Sequence, residues 1–426
     1  MADRPRKFSF SRAGRGWPAS AVLLCCVFCV SFLRAEEPRV LRLSPPGLSA
    51  TAPRISAAPN ADCTIVWQQS GPSAADFAIA SRRRQAGFWG PVEIIAGGAA
   101  ESQPREPLVR LDSSGHPHVV WVNGNEQRNF LEYTFFTESV WVPYGRLGSV
   151  STQKIEHPVM MVGPRNQLFV VWQERVGVSY QIHAFVIDAK GNSYHHVLDG
   201  KEQLRYVIYP DLMELAPAKP GEDPRVAVAW FSLEQPEAKL EMRVWAPAQL
   251  DWLPAEPPAW TTGALESLPL VAASPESGYI LVGYRPQGRY DRIFMTSERF
   301  SLAYLDANVP VQSRFPRVSE PLNGVFGFAW QQESEDGISL VQAALRPTGE
   351  IFSAPLARAD ALLPPQPDVA LSAGSLMAVW TTLVREPATQ NTTTTLQRPV
   401  IYFSESTIPD TAWRPIIPSA AGDLER

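Results

Sequence analysis

Cysteine is scarce in this 426-residue chain. There are four, and Cys25, Cys26 and Cys29 all fall in one apolar stretch near the amino terminus. Only Cys63 lies beyond it, so the rest of the chain cannot close a disulfide on itself and must be held by its core. Basic charge is scarce as well. Without residues 1–35, which carry six basic residues and one acidic residue, 32 Lys and Arg face 42 Asp and Glu, a net charge of −10. Nucleic-acid binding rests on a basic surface that displaces phosphate counterions. The one basic run, Arg82-Arg83-Arg84, reads as the solvated end of a strand, so nucleic acid is excluded as a partner. No Gly-rich phosphate loop, Gly-x-Ser-x-Gly elbow or Cys–His metal spacing occurs. His116 and His118 flank a proline and read as a turn, and a metal site needs three or four converging ligands. No metal and no cofactor is expected.

The amino terminus stands apart. Arg4, Arg6, Lys7, Arg12 and Arg15 lead into Ala19–Leu33, fifteen residues without a charge, and Leu33-Arg34-Ala35 precedes Glu36-Glu37-Pro38. That order describes a secretory signal peptide over residues 1–35. A secreted or periplasmic protein follows. A spanning helix needs about 20 apolar residues, so an uncleaved membrane anchor through residues 19–33 is the alternative. The residues before each cysteine of the stretch are bulky, where lipid attachment wants small ones.

What is abundant is proline, with 40 residues, and a repeat. An apolar run ending on an aromatic residue recurs at Trp67, Trp121, Trp172, Trp230, Tyr284, Trp330 and Trp380, spaced 54, 51, 58, 54, 46 and 50 residues apart. A proline precedes each copy: Pro53, Pro107, Pro158, Pro210, Pro269, Pro316 and Pro367. Between the two lie an apolar alternation, a turn and the run itself, the pattern of a β-hairpin. A third run follows, then a fourth that often reads Trp-x-Pro, at Trp89-Gly90-Pro91, Trp141-Val142-Pro143, Trp252-Leu253-Pro254 and Trp413-Arg414-Pro415. Proline removes a ladder donor and is confined largely to edge strands, so the fourth run is the outer edge. Four strands repeated seven times predict an all-β fold, a seven-bladed β-propeller of four-stranded antiparallel blades. The predicted layout is a leading segment over 36–52, the propeller over 53–418 and a tail over 419–426. Near Ala412–Ile417 a fourth strand is expected to complete the last blade. Val40–Leu43 is expected beside the first or the last blade.

The apolar strand ending in Trp and the Trp-x-Pro strand resemble the sialidase-like propellers. That resemblance implies hydrolysis of terminal sialic acid, three arginines on the substrate carboxylate, a Tyr–Glu nucleophile and base, and an Asp acid/base. The Ser-x-Asp-x-Gly-x-Thr-Trp box of that family is absent, as is its Arg-Ile-Pro signature, and its members typically have six blades.

In a propeller the inner strands line a channel, and the residues after the repeat prolines are Arg54, Leu108, Val159, Asp211, Leu270, Arg317 and Asp368. Ring closure makes the sixth, seventh and first blades neighbours and so predicts that Arg317, Asp368 and Arg54 meet. They would either clamp an anionic ligand or close the ring as an Arg–Asp–Arg bridge. A second candidate set opens the segments after the repeat aromatics: Gln68, Gln69, Asn123, Gln173, Glu174, Gln331 and Gln332. In exposed loops their amides would suit a hydroxyl-rich ligand. The last such segment, Thr381–Arg398, reads as a long loop. Glu156, Asp291, Glu333, Glu335 and Asp336 are carboxylates near the same face, with no catalytic pair assigned among them. The repeat aromatics are expected to pack between blades rather than to stack on sugars.

The function expected from these residues is a ligand- or protein-binding module without catalysis, its partner a carbohydrate, another anionic small ligand or an envelope protein. One alternative is a sialidase-like glycoside hydrolase or lyase working at the channel mouth. A second is a cell-envelope assembly scaffold.

Overall fold

The computed structural model describes residues 40–71, 77–98, 103–125, 127–137, 139–199, 206–234, 237–259, 270–287, 290–298, 303–306, 311–335, 337–359, 367–387, 395–408, 410 and 413–415. The basic lead and the apolar stretch before residue 40 lie outside them. Among the described residues no helix is long and apolar enough to cross a membrane.

The chain is a seven-bladed β-propeller. A two-residue strand, β1 (Leu41–Arg42), comes first. Blade 1 is β2 (Ser49–Ala57), β3 (Cys63–Ser70), β4 (Ala78–Gln85) and β5 (Phe88–Gly97). Blade 2 is β6 (Arg105–Leu111), β7 (Pro117–Gly124), β8 (Asn129–Thr137) and β9 (Val140–Ser151). Blade 3 is β10 (Ile155–Val162), β11 (Leu168–Val176), β12 (Ser179–Ile187) and β13 (Ser193–Asp199). Blade 4 is β14 (Tyr206–Leu215), β15 (Arg225–Glu234), β16 (Glu237–Ala246) and β17 (Asp251–Ala255). Blade 5 is β18 (Leu270–Ser274), β19 (Gly278–Gln287), β20 (Tyr290–Ser297) and β21 (Ala303–Tyr304). Blade 6 is β22 (Gln312–Val318), β23 (Phe326–Ser334), β24 (Gly337–Leu345) and β25 (Glu350–Ala359). Blade 7 opens with β26 (Asp368–Ser372), β27 (Ser375–Pro387) and β28 (Thr395–Thr407), and β29 (Arg414–Pro415) ends the chain's strands. Trp-x-Pro marks the outermost strand in blades 1, 2 and 4.

The carboxy-terminal end departs from the expected arrangement, while Leu41–Arg42 takes the last-blade place, one of the two expected for Val40–Leu43. Arg414–Pro415 does not complete blade 7; it pairs with the outer strand of blade 6 as a fifth strand, Ile351 facing Arg414. The fourth strand of blade 7 comes from the other end, where Leu41 faces Phe403 and Arg42 faces Tyr402. The Leu43 amide continues this pairing by donating to the Ile401 carbonyl at 2.9 Å. Leu43 is buried against Trp67, Ile401 and Phe403. Arg42 reaches Glu386 at 2.6 Å. A blade closed by strands from opposite ends of the chain ties the ring shut without a disulfide.

The repeat proline and the repeat tryptophan turn out to be one device. In blade 1, Thr51 pairs with Gln68 and Arg54 with Val66, so Ala52 and Pro53 together oppose Trp67. The same two-against-one count puts Glu106-Pro107 opposite Trp121, His157-Pro158 opposite Trp172, Tyr209-Pro210 opposite Trp230 and Phe315-Pro316 opposite Trp330. Each is a β-bulge, which leaves one residue out of the ladder. Proline fits there because it has no N–H to leave unpaired. The residue before it takes a left-handed backbone, with φ of 51° at Ala52, 51° at Glu106, 48° at His157, 54° at Tyr209 and 54° at Phe315. The residues preceding Pro269 and Pro367 lie outside the described set.

The tryptophans fill the seams between blades. Trp67 packs with Met377, Val379 and Phe403 of blade 7, Trp172 with Val120, Val122 and Leu131 of blade 2, and Trp230 with Phe169, Val171 and Ile182 of blade 3. Trp330 packs with Ile280, Val282 and Ile293 of blade 5. The second strands are apolar on both faces because each lies between two neighbouring blades. Tyr284, the aromatic at this position of blade 5, is the exception, with 43% of its surface exposed.

Candidate functional site

The bulge determines what faces the channel, because an extra residue re-aims the side chains that follow. Past it, the inner strands line a central cavity of about 400 Å³. Arg54, Leu108, Asp211, Leu270, Arg317 and Asp368 all stand on its wall, as does Val159. The four charged positions read from the sequence therefore share one cavity. A third guanidinium joins them, that of Arg110. It lies two residues beyond Leu108, on the same face of the strand, and that alternation is the signal by which it is found.

Of the two arrangements expected, the Arg–Asp–Arg bridge does not form among the described residues: no ion pair links Asp368 to Arg54 or Arg317. Asp368 Oδ2 instead accepts the backbone amide of Ile55 at 2.9 Å, joining blade 7 to blade 1. Asp211 does the same between blades 4 and 5, accepting the Val271 amide at 3.1 Å. Both carboxylates satisfy amides of the neighbouring inner strand, which would otherwise be left without a partner in the ring interior. Among the described residues the Arg54 side chain makes one hydrogen bond, donated by Nη1 to the Pro53 carbonyl at 3.0 Å. Arg317 makes no side-chain hydrogen bond or ion pair among the described residues. Arg110 Nε stands 2.5 Å from Glu320 Oε1.

The charges act on one another. Burial lowers Arg54 to about 10, helped by the like charge of Arg317 and opposed by Asp368. Burial pushes the Asp211 carboxyl up to about 7, against the pull of the Val271 amide and of Arg317 and Arg110. Burial raises Glu320, which Arg110 partly offsets. Glu214 is raised by burial and by the negative charges of Glu276 and Glu320. The cavity is therefore graded, with Arg54 and Arg317 at the level of the bulges and Glu214, Glu276 and Glu320 toward the opposite end.

The second candidate set falls elsewhere. The strands do not stop at the tryptophan: Gln68 and Gln69 lie inside β3, Asn123 inside β7, Gln173 and Glu174 inside β11, and Gln331 and Gln332 inside β23. Gln69, Asn123, Gln173 and Gln331 are buried. Their expected place in exposed loops fails because the bulge sits opposite the tryptophan and the ladder resumes beyond it. Asn123 Nδ2 donates to Glu132 at 2.6 Å and its Oδ1 accepts the Gly124 amide. Gln173 Oε1 accepts the Tyr209 amide at 3.0 Å, and its Nε2 donates to Glu156 at 3.1 Å. Glu174 accepts from the Ser151 hydroxyl at 2.6 Å. Thr381–Arg398 is largely a long hairpin rather than a loop, paired out to Pro387 and Thr395. Its tip lies outside the described residues.

No protein-family model matches the chain, and no curated protein matches it in sequence. Among solved structures it is similar to a polysaccharide lyase, an ulvan lyase, seen bound to -[GlcA(1-4)Rha3S]-. The TM-score is 0.52 at 9% identity, over 91% of this chain and 99% of that one. A second structure of an ulvan lyase gives a TM-score of 0.50 at 9% identity, with the same shares covered. A Fusarium graminearum α-L-arabinofuranosidase in complex with arabinobiose gives 0.41 at 10% identity, over 87% and 97% of the two chains. At such identities the likeness to the two ulvan lyase structures bears on the fold alone.

Proposed function

We propose that the secreted chain is a carbohydrate-binding propeller that takes an acidic saccharide at the channel, its carboxylate or sulfate held by Arg54 and Arg317. One observation carries the reading. Arg54 and Arg317 both stand on the cavity wall, and among the described residues neither is ion-paired to a carboxylate, while Asp368, placed between them by the order of the blades, accepts the Ile55 amide. A guanidinium offers paired donors that match a carboxylate or sulfate. Support for a saccharide comes from the ulvan lyase of similar fold, seen bound to a sulfated uronic-acid sugar. The resemblance to sialidase-like propellers points the same way, since it implies an arginine-held carboxylate. Calorimetric titration of residues 36–426 with acidic and neutral oligosaccharides tests the proposal. Arg54→Ala and Arg317→Ala are each expected to weaken binding of the acidic ligand about tenfold or more. Equal affinity for neutral sugars, or a double variant that binds as tightly as the parent, overturns it.

A second reading, glycoside hydrolysis or elimination in the same cavity, is favoured by one further observation. Asp211 stands on the cavity wall, and burial pushes its carboxyl up to about 7, toward the range suited to general acid–base work. Turnover of an acidic polysaccharide that Asp211→Asn abolishes, with binding retained, would establish it. Binding without turnover would rule it out.

A further inference from the structure

The left-handed residues of the bulges do more than the fold requires. A bulge of this kind normally places glycine at the left-handed position, because glycine adopts it freely. A residue with a side chain is held there at a cost of about 1–2 kcal/mol. In this chain none of the five described positions is glycine; they carry Ala52, Glu106, His157, Tyr209 and Phe315. Bulky residues in this region are outliers, and such outliers collect where a side chain is used. Each of the five precedes, by two residues, a residue on the cavity wall: Tyr209 comes before Asp211, and Phe315 before Arg317. They form the layer next outward from the arginines.

Three of them are aromatic and in contact with water. Tyr209 is 40% exposed and Phe315 46% exposed, and His157 is also exposed. The rings of His157 and Tyr209 meet edge to face across the junction of blades 3 and 4, with centroids 4.7 Å apart at 62°. His157 and Tyr209 each come two residues before a position on the cavity wall, Val159 and Asp211, so this pair borders the wall at its bulge end. Tyr209 is also clamped. Its amide donates to Gln173 Oε1, Gln173 Nε2 donates to Glu156, and Lys154 holds Glu156 at 2.7 Å.

We propose that Tyr209, with His157 packed edge-on, and Phe315 form a stacking rim for a pyranose ring at the channel mouth, and that Gln173 is the positioning residue that fixes Tyr209. Aromatic side chains supply a large, rigid contact at small entropic cost. A sugar ring presents an apolar C–H face to such a surface and hydroxyls to water. This deepens the acidic-saccharide reading and rests on it: the arginines take the anionic group of one residue, and the rim takes the next ring of an oligosaccharide. A free uronate would use the arginines alone.

The test exploits the backbone. Tyr209→Gly and Phe315→Gly delete the ring and at the same time ease the left-handed conformation, so the chain stays folded. Each is expected to weaken binding of a glucuronate-containing tetrasaccharide about tenfold, leave binding of free glucuronate unchanged, and keep or raise the urea midpoint. Tyr209→Phe is expected to bind the tetrasaccharide like the parent. Gln173→Met, which never meets the ligand, is expected to lower the tetrasaccharide-to-glucuronate affinity ratio in the same direction; a purely structural glutamine would leave that ratio alone. A parent chain that binds glucuronate but gains nothing from the longer ligand, or glycine variants that bind it undiminished, overturns the rim and spares the arginine anchor. A parent chain that binds neither ligand overturns the anchor and with it the rim.

Discussion

Asp211 is the group on which a solution measurement bears most directly. Its carboxyl stands on the channel wall, pushed up to about 7 from an ordinary value of 3.8, chiefly by burial. Arg317 and Arg110 face it and pull the other way, as does the Val271 amide that one carboxyl oxygen accepts. An acid in this position binds its proton more tightly folded than unfolded. Between pH 3.8 and 7 the folded chain holds the extra proton, so this group's contribution to stability falls as pH rises through that window and stays low above it. Each factor of ten in proton affinity is worth about 1.4 kcal/mol, which for a shift of this size sets an upper bound of roughly 4 kcal/mol. Water in the channel screens the charge, so about 1–3 kcal/mol is the expected size.

Asp211→Asn removes the titration and keeps an oxygen for the Val271 amide. The variant is expected to match the parent near about pH 4, where the folded parent is already protonated, and to exceed it by about 1–3 kcal/mol near about pH 8. Urea midpoints of the two chains at both pH values read this out, given equal slopes. Comparing the pair cancels every other titrating group. An equal difference at both pH values, or a variant less stable at the higher pH, would refute the reasoning: the carboxylate would then be ionised and held by Arg317 and Arg110.

Two further expectations concern closure of the ring. Asp368→Ala leaves the Ile55 amide without its acceptor and is expected to cost about 1–3 kcal/mol, while Asp368→Asn, which keeps an acceptor, stays close to the parent; urea midpoints that rank the two variants together would remove the tie from the account. Leu43→Ala opens a gap beneath the strand that completes blade 7 and is expected to cost about 2–5 kcal/mol, so a loss under about 1 kcal/mol would mean that the amino-terminal strand is not what closes the ring.

The number of blades and strands was legible in the sequence because each blade must bury a second strand on both faces, and that leaves a run no other segment can imitate. The charged wall was legible for a related reason: inner strands line the channel by topology, and a residue counted from the proline keeps its place in every blade. The bulge was not legible. An extra residue opposite Trp67 changes neither the spacing from Pro53 nor the alternation on either side, yet it moves Gln68 and Gln69 from a supposed loop into a strand. Tyr209 and Phe315 were hidden by the same feature, since only the backbone shows that the residue before the proline turns out of the ladder. Closure was legible only in part: Val40–Leu43 was expected beside the first or the last blade, and which of the two was hidden for a different reason. Leu41–Arg42 and Arg414–Pro415 are two-residue strands whose partners lie hundreds of residues away or on a neighbouring blade, and patterns in so few residues do not specify a partner.

The bulge also separates what must stay constant from what is free to vary. Proline occupies its second position because the ladder asks for no donor there, and tryptophan lies opposite because the seam behind it needs filling; neither has any bearing on the ligand. The residue before the proline and the residue after it are constrained by neither demand. In blades 1, 4 and 6 the wall position after the proline carries Arg54, Asp211 and Arg317, whereas in blades 2, 3 and 5 it carries Leu108, Val159 and Leu270. The rim position carries rings in blades 3, 4 and 6 and none in blades 1 and 2. The two patterns differ, so the wall and the rim are set independently of each other although one repeated device builds both. Arg54 and Arg317 flank blade 7, while His157 and Tyr209 lie on the far side of the ring. A ligand that engages both must span the channel, which a single small anion cannot do and an oligosaccharide can.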